Sequence, residues 1–401
     1  MMDKMAGNVL LTLNPGSSTI KLGLFSVQAG KPCAFGRGAI DLRHGPLSLH
    51  LDEGGRVSDV ALQAVVTDDL HAVIEQTLGW LTRHFSLDGL AAVAHRVVHG
   101  GDRFAGATEI NDDTLAAIEA LAPLAPLHQP RSLRLIRAVR HLRPRLAQTA
   151  SFDTAFHRTQ SDLVRRFALP RALFDEGIKR YGFHGLSYKF IAAQMQRLHP
   201  RLAGGRVVVA HLGSGASLCG LEAGASRDTS MAFSTLDGIP MATRPGALDP
   251  GVLLHLLKER GLSLDALEYM LYHRSGLLGV SGISADSREL VASSAPEARE
   301  ALQLFALSVA REVAAIATTL GGLDALVFTA GIGEHQPTVR ASIGRHLTWL
   351  GARVDPAANA AHAARIDSTD SRLALLVMAT NEEQVIAEEA CQLLFHTPDR
   401  I

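Results

Sequence analysis

The sequence predicts an α/β fold built twice, and two stretches about half a chain apart carry that prediction. In Arg206 to Gly220, RVVVAHLGSGASLCG, a β-branched run, Val207 to Val209, reaches the small-residue turn Gly213-Ser214-Gly215-Ala216-Ser217, and a second apolar run, Leu218 to Leu221, leaves it. This reads as strand, tight turn, strand. Val9 to Val27, VLLTLNPGSSTIKLGLFSV, has the same grammar, with a Gly-Ser-Ser-Thr turn at residues 16 to 19 and an alternating run through Ile20, Leu22 and Leu24. Internal repetition of this kind points to duplication, with the two turns facing each other across one cleft. Glycines that admit a ligand and serines that add hydroxyls suit phosphate, although most Gly-Ser hairpin turns merely turn.

Length and composition bound the answer. The 401 residues suffice for two domains with full cores, and 47% hydrophobic with 20% charged residues is ordinary for a soluble globular protein. A formal net charge of −1 argues against a nucleic-acid or membrane-surface partner, which leaves small molecules. Cys33, Cys219 and Cys391 are too few and too dispersed for a disulfide framework or a metal site and fit a reducing cytoplasm. The charged start MMDKMAGN reads as no signal peptide, and no apolar segment is expected to span a membrane.

After the first hairpin, Gln28 to Val65 reads as further strands and turns, among them Leu47 to Leu51. Leu70, Val73, Ile74, Leu78 and Leu81 recur at helical spacing within Thr67 to Phe85, and a strand follows from Leu90 to Val98. That strand carries His95 and Arg96 into His99 and Gly100-Gly101. An arginine there suits a carboxylate or phosphate, or simply a surface ion pair. Gln148 to Thr159 reads as a strand delivering Asp153 at its carboxyl end, either to a metal or as the cap of a following helix. Asp228-Thr229-Ser230 reads as a helix start, and Pro296 to Leu320 as a long buried helix stopped by Gly321-Gly322. In Ala325 to Glu334 a strand meets Gly-Ile-Gly, with a helix from about Pro337, a ready anion or nucleotide site. Arg372 to Thr380 reads as a buried strand, and Gln384 to Phe395 as the terminal helix; Glu382 is most simply a first-turn glutamate favoured by the helix dipole.

LNPGSSTIK and AHRVVHGG, followed in order by PLHQP, FDTAFH, RYGFHG, HLGSG, Thr243-Arg244, SGISADSR, AGIGE and ATNEE, resemble the acetate kinase family over nearly the whole chain, Val9 to Glu389. The resemblance implies duplicated ribonuclease H-like domains of the actin-like ATPase kind with an interdomain nucleotide cleft. They would span residues 1–154 with 386–401, and 155–385. It implies in-line transfer of the ATP γ-phosphoryl group to acetate, reversibly, giving acetyl phosphate and ADP, with Mg²⁺ as cofactor or Mn²⁺ in its place, in a cytoplasmic homodimer.

Residue by residue, the resemblance makes Arg96, Arg244, His184, Asp153 and Asn14 catalytic, and Asp153, Glu382 and Asn14 the metal-holding set. His128 would position the phosphoryl group. Val98, Leu127, Phe183 and Thr235 would line the acyl pocket beside Arg96. Lys21, Ser17, His211, Gly213, Ser214, Gly215, Asp286, Ser287, Arg288, Gly331, Ile332, Gly333 and His335 would meet the nucleotide. The chain departs from the family at Gln129, Leu186, Tyr188, Ser214, Thr235, Pro245, Ala247, Ser287, His335 and Ala379. Thr235, where the family commonly has proline, leaves propionate or another short acid as an alternative substrate, and a non-catalytic ATP-binding module is the alternative of another class.

Overall fold

The computed structural model describes residues 9–16, 19–42, 46–64, 70–85 and 90–395. It divides into two compact units, residues 1–155 with 381–401, and 156–380.

In the first unit β1 (Val9–Pro15) is buried along its whole length. A strand covered on both faces reads as a continuous apolar run, which is why VLL and Leu13 flank a single Thr12. β1 pairs antiparallel with β2 (Thr19–Gln28). The meander continues through β3 (Lys31–Asp41), β4 (Ser48–Glu53) and β5 (Arg56–Ala61). On its other side β1 pairs parallel with β6 (Leu90–Val97), which pairs parallel with β8 (Ala147–Phe152); the two-residue β7 (Thr108–Glu109) closes the edge. The predicted helix forms as His71–His84 and buries Val73, Ile74, Leu78 and Leu81 in one core with Leu11, Leu22 and Leu24, while Thr67 lies outside the described residues. The terminal helix is Glu382–Leu394, capped by Asn381, whose side chain accepts from Gln384 N, and it packs on β1, β2 and β3. The first unit thus takes in Glu382, where the sequence reading began its terminal segment at 386.

The second unit repeats the same order. β9 (Arg206–Leu212) lies between β10 (Ala216–Glu222), its antiparallel neighbour, and β12 (Ala325–Thr329), its parallel one. β11 (Ala225–Thr229) extends the antiparallel side, and β13 (Ala374–Val377) the parallel side. The series β11-β10-β9-β12-β13 therefore reproduces β3-β2-β1-β6-β8, with two antiparallel pairings followed by two parallel ones. The duplication inferred from two hairpins extends to five strands. No helix starts at Asp228-Thr229-Ser230: Asp228 and Thr229 end β11, and the Thr229 hydroxyl donates to Leu218 O across the ladder rather than capping.

The helix Pro296–Leu320 forms as predicted and ends at Gly321, its ten buried side chains shared between the sheet strands β9, β10 and β11 and the helices Gly276–Ser281, Ser287–Ala292 and Pro337–His346. By length and composition alone it could cross a membrane, contrary to the sequence expectation that no segment approaches a span, and this is weak evidence since the core helix of a soluble protein meets the same test. Gly220 of β10 makes its close packing feasible, because a Cβ there would lie 2.4 Å from Ile316 Cγ2. Gly220→Ala overpacks this contact, so we expect a loss of about 1 to 3 kcal/mol, seen as a lower urea midpoint with an unchanged far-ultraviolet spectrum.

Burial holds three imidazoles neutral. His95, against Gln148 Oε1 at 2.8 Å, and His99 and His157 are all pushed down to about 4, chiefly by desolvation. As pH falls from 6.5 toward 4 the unfolded chain takes up protons that these groups refuse, so the stability they confer above 6.5 is lost across that window. Glu312 works in the opposite sense. Burial first, then Asp228, pushes its carboxyl up to about 7 despite Arg180, so it stabilises the folded state as pH falls from 7 toward 4.5. His95 and His99 lie in the first unit, and His157 and Glu312 in the second. Hydrogen exchange should therefore show β6 protection falling from pH 7 to 5 while β9 protection holds steady, and Glu312→Gln should make β9 follow β6.

Candidate active site

The parallel strands β1, β6 and β8 end at the same edge of their sheet, the place where ligands of such sheets gather. Asn14, Arg96 and Asp153 sit at those ends. Arg96 forms a fork with Asp153, Nε to Oδ1 at 2.9 Å and Nη2 to Oδ2 at 2.6 Å, and its Nη1 donates to Asn14 Oδ1 at 3.1 Å. That contact orients the Asn14 amide, whose Nδ2 donates to Glu382 Oε2 and Glu383 Oε1, each at 2.9 Å. Burial would lower the Arg96 pKa, but Asp153 and then Glu382 and Glu383 overcome it and raise it above the ordinary value. One carboxylate and one amide oxygen thus meet the guanidinium directly, and two further carboxylates act on it through charge. The charge balance and all-oxygen donor set suit a hard divalent cation, which binds by one or two carboxylates and keeps several waters. No group of three or more metal-binding side chains assembles among the described residues.

The turn after β6 is held from a distance. Gln129 Oε1 accepts from His99 N at 3.2 Å, while its Nε2 donates to His99 O at 2.9 Å and Ile118 O at 3.2 Å. The departure from asparagine at this position clips the backbone beside Val98, which is itself buried. His128 and Leu127 are half-buried at the start of the helix Gln129–Leu142, whose Arg131 holds Gly16 O at 3.2 Å. Lys21 is exposed and pairs in register with Asn14. Ser17 lies outside the described residues.

In the second unit His184 has φ 57°, a left-handed backbone rare for a non-glycine residue, immediately before the helix Gly185–Leu198. Such strain, of order 1 to 3 kcal/mol, is kept only where the surroundings enforce it. Its Nδ1 meets Ser217 Oγ at 2.8 Å and its ring stacks on His211 at 4.3 Å. His211 Nδ1 meets Ser187 Oγ at 2.8 Å, and Ser187 donates to Thr380 at 2.9 Å. Phe183, fully buried, has its carbonyl 2.9 Å from His157 Nε2; since His157 is neutral, that nitrogen donates and Nδ1 is free to accept from Ser226.

Arg244 lies against this pair. A Cβ at Gly215 would sit 2.7 Å from Arg244 Nη2 and 3.4 Å from His184 Nε2, so a side chain there would displace the guanidinium end from its place against the turn. Arg244 Nη1 donates to Thr235 O at 2.7 Å. Burial pushes its pKa down to about 10 against the pull of Tyr272, and no carboxylate pairs with it among the described residues. The contrast with Arg96 is plain: one half-buried cation is balanced by carboxylates of its own unit, and the other meets none among the described residues.

β9 and β12 run parallel, with His211 in register with Thr329, so their following turns lie together. Gly213 comes within reach of Ala330, whose backbone is also left-handed and whose N donates to Glu334 Oε1 at 2.8 Å. Gly331, Ile332, Gly333 and His335 belong to the short helix Ala330–His335; Gly331 and His335 are exposed, and Ile332 and Gly333 are buried. Ser214 is exposed at the β9–β10 turn. Asp286 caps the helix Ser287–Ala292 and pairs with exposed Arg288, while buried Ser287 accepts from Gln336 at 2.5 Å. The nucleotide-assigned segments of this unit are thereby linked at both ends of the short helix. Sequence reasoning missed Glu383, Ser187, Ser217 and Glu334. Only Glu383, beside Glu382, and Ser217, inside the turn, gave any signal.

The described geometry agrees with what the chain is similar to. Residues 9–388 match the model of the acetokinase family. An acetate kinase of Rhodopseudomonas palustris is 43% identical over 394 residues, covering 96% of this chain and 98% of that one. Among solved structures, a propionate kinase from Francisella tularensis has a TM-score of 0.88 at 34% identity, covering 95% of this chain and 98% of that one. The acetate kinase of Porphyromonas gingivalis has a TM-score of 0.85 at 31% identity, covering 96% and 100%. By sequence over nearly its full length and by fold, the chain belongs to the acetokinase family.

Proposed function

We propose that this chain is an acetate kinase that transfers the γ-phosphoryl group of ATP to acetate, and back. The observation that carries the reading is the pair of half-buried arginines, of which Arg244 stands beside His184 with no carboxylate of its own among the described residues. Phosphoryl transfer gathers charge on three equatorial oxygens, and a fixed, desolvated cation stabilises that charge without reorganising. Acetate, with a carboxyl pKa of about 4, is already ionised near neutral pH, so the site needs no general base.

In this reading Arg244 and His184 hold the phosphoryl oxygens, and Arg96 and Asn14 contribute to the same transfer from the first unit. His128, Ser17 and Lys21 position the phosphoryl group. Asp153, Glu382 and Asn14 hold Mg²⁺, which supplies charge neutralisation on the phosphate oxygens when bound. His211, Gly213, Ser214, Gly215, Asp286, Ser287, Arg288, Gly331, Ile332, Gly333 and His335 serve the nucleotide, the last four from a short helix that opens at a strand end. Val98, Leu127, Phe183 and Thr235 receive the acyl group. Thr235 adds a hydroxyl to that apolar set, which supports use of propionate or another short acid as well, since one methylene is worth only about 1 to 3 kcal/mol of discrimination. A cytoplasmic homodimer completes the reading, and exposed Leu264 and Tyr269 are of the kind a subunit interface covers.

Acyl phosphate formed from ATP and Mg²⁺ can be trapped with hydroxylamine across formate, acetate, propionate and butyrate. Turnover with acetate at least equal to propionate is expected, and silence with every acid would leave only an ATP-binding module. Arg96→Ala and Arg244→Ala should each lower kcat by about 10² or more while calorimetry still records ATP binding. Unchanged turnover in either variant removes that arginine from the mechanism.

A further inference from the structure

Tyr188 is one of the positions at which the chain departs from its family, and it stands one helical turn after His184. Its N–H donates to His184 O at 3.1 Å in the opening turn of the helix Gly185–Leu198, and its side chain is fully buried. The His157 and His211 rings meet its ring nearly edge-on, with centroids at 5.7 and 6.4 Å, and hold it between them. The phenol oxygen lies 2.5 Å from Ser217 Oγ, and Ser217 Oγ lies 2.8 Å from His184 Nδ1. Ser217 is also fully buried, in register on β10 with His211, the ring on which His184 stacks. Tyr188, Ser217 and His184 therefore form one line of hydrogen bonds.

The line has a direction. A phenol is a stronger acid than an aliphatic hydroxyl, whose oxygen is the better acceptor, so Tyr188 donates to Ser217. Among the described residues Ser217 Oγ meets only these two partners, so its own proton goes to His184 Nδ1. A neutral imidazole that accepts at Nδ1 carries its proton on Nε2. Nε2 is the nitrogen that faces the turn at Gly215: the place a Cβ would take there is 3.4 Å from it and 2.7 Å from Arg244 Nη2, so both nitrogens look onto one spot. An imidazolium would add a second positive charge beside an arginine that meets no carboxylate among the described residues, whereas this tautomer brings a donor without the charge.

We propose that Tyr188 and Ser217 are positioning residues that fix the proton of His184 on Nε2, so that the imidazole meets a phosphoryl oxygen as a neutral hydrogen-bond donor. The proposal rests on the phosphoryl-transfer reading above and adds to it the tautomer and the residues that set it. With the proton on Nδ1, the lone pair of Nε2 would face that oxygen and repel it. The effect falls on the transfer step, where charge on the equatorial oxygens is greatest, rather than on binding.

In protein labelled with nitrogen-15 histidine, His184 is assigned by the signal that His184→Asn removes. At about pH 8, above the ordinary imidazole pKa of about 6.5, the unaltered protein should show a bare, hydrogen-bonded Nδ1 and a protonated Nε2. A proton on Nδ1, in the other tautomer or in an imidazolium, overturns the proposal without any further variant. Tyr188→Phe keeps the ring and removes the proton that orders Ser217. The Nδ1 signal should move and kcat fall about tenfold, with KM for acetate and for ATP within about threefold. Ser217→Ala should lower kcat at least as far, and Ser217→Thr, which keeps the hydroxyl, should return both the signal and the rate. A merely structural role would instead move both KM values and the thermal midpoint together, whether or not position 217 carries a hydroxyl. An unmoved Nδ1 signal or an unchanged kcat in Tyr188→Phe also overturns the proposal. Silence of the unaltered protein with every acid would sink the kinase reading instead, and the spectrum would still decide the tautomer.

Discussion

A guanidinium does not give up its proton, so a buried arginine must be matched by something, and much of the first unit is arranged around matching Arg96. The penalty for taking that charge out of water is several kcal/mol, and a single carboxylate held in a bidentate fork offsets it only with excellent geometry. Asp153 supplies the fork from the end of β8, because β6 and β8 are parallel and end together. Asn14 supplies a neutral acceptor from the end of β1 and turns its amide to both first-turn glutamates of the terminal helix. Those glutamates are doubly placed, since the helix N-terminus favours negative charge even before Arg96 is counted. The same demand thus explains why residues at the far end of the chain belong to the unit that its start builds.

Arg244 resolves the demand differently. Its surroundings offer a backbone carbonyl, a stacked histidine pair and a glycine turn, none of which carries negative charge at neutral pH. The uncompensated charge costs stability in the free protein, and His184 adds backbone strain beside it. Strain and desolvation concentrated at one place are what a site prepared for an anion looks like, because binding the ligand recovers the cost. His157 shows how far the scaffold goes to keep this region fixed: a neutral imidazole with both nitrogens engaged holds the Phe183 carbonyl next to His184.

Much of this was legible beforehand, and the limits have a physical reason. Hairpins, the helix spacing of Val73 to Leu81 and the stop at Gly321 are local features, written in neighbouring residues. The five-strand repeat was visible only through its two hairpins, since pairing of β9 with β12 joins residues far apart in sequence. Arg96, Asp153 and His184 could be selected by motif, yet the motif does not say that Arg96 is neutralised and Arg244 is not. Asp228-Thr229-Ser230 misled because a Ser/Thr/Asp cluster satisfies backbone groups equally well in a strand ladder or at a helix start.

The departures from the family pattern become less alarming once it is seen which atoms the site uses. Gln129 serves through both ends of a longer amide, which reaches His99 and Ile118 together. Ser214 contributes its carbonyl, which accepts from Ala242 N, while its side chain is exposed. Ala247 contributes its N–H, which donates to Gly238 O. Thr235 holds Arg244 by a carbonyl that any residue possesses. Main-chain contacts survive substitution, so the arginine stays in place whatever side chain occupies position 235. The side chain is then at liberty to differ in shape and polarity without loosening the cation. Position 235 can therefore change its side chain while the main-chain hold on Arg244 is left intact.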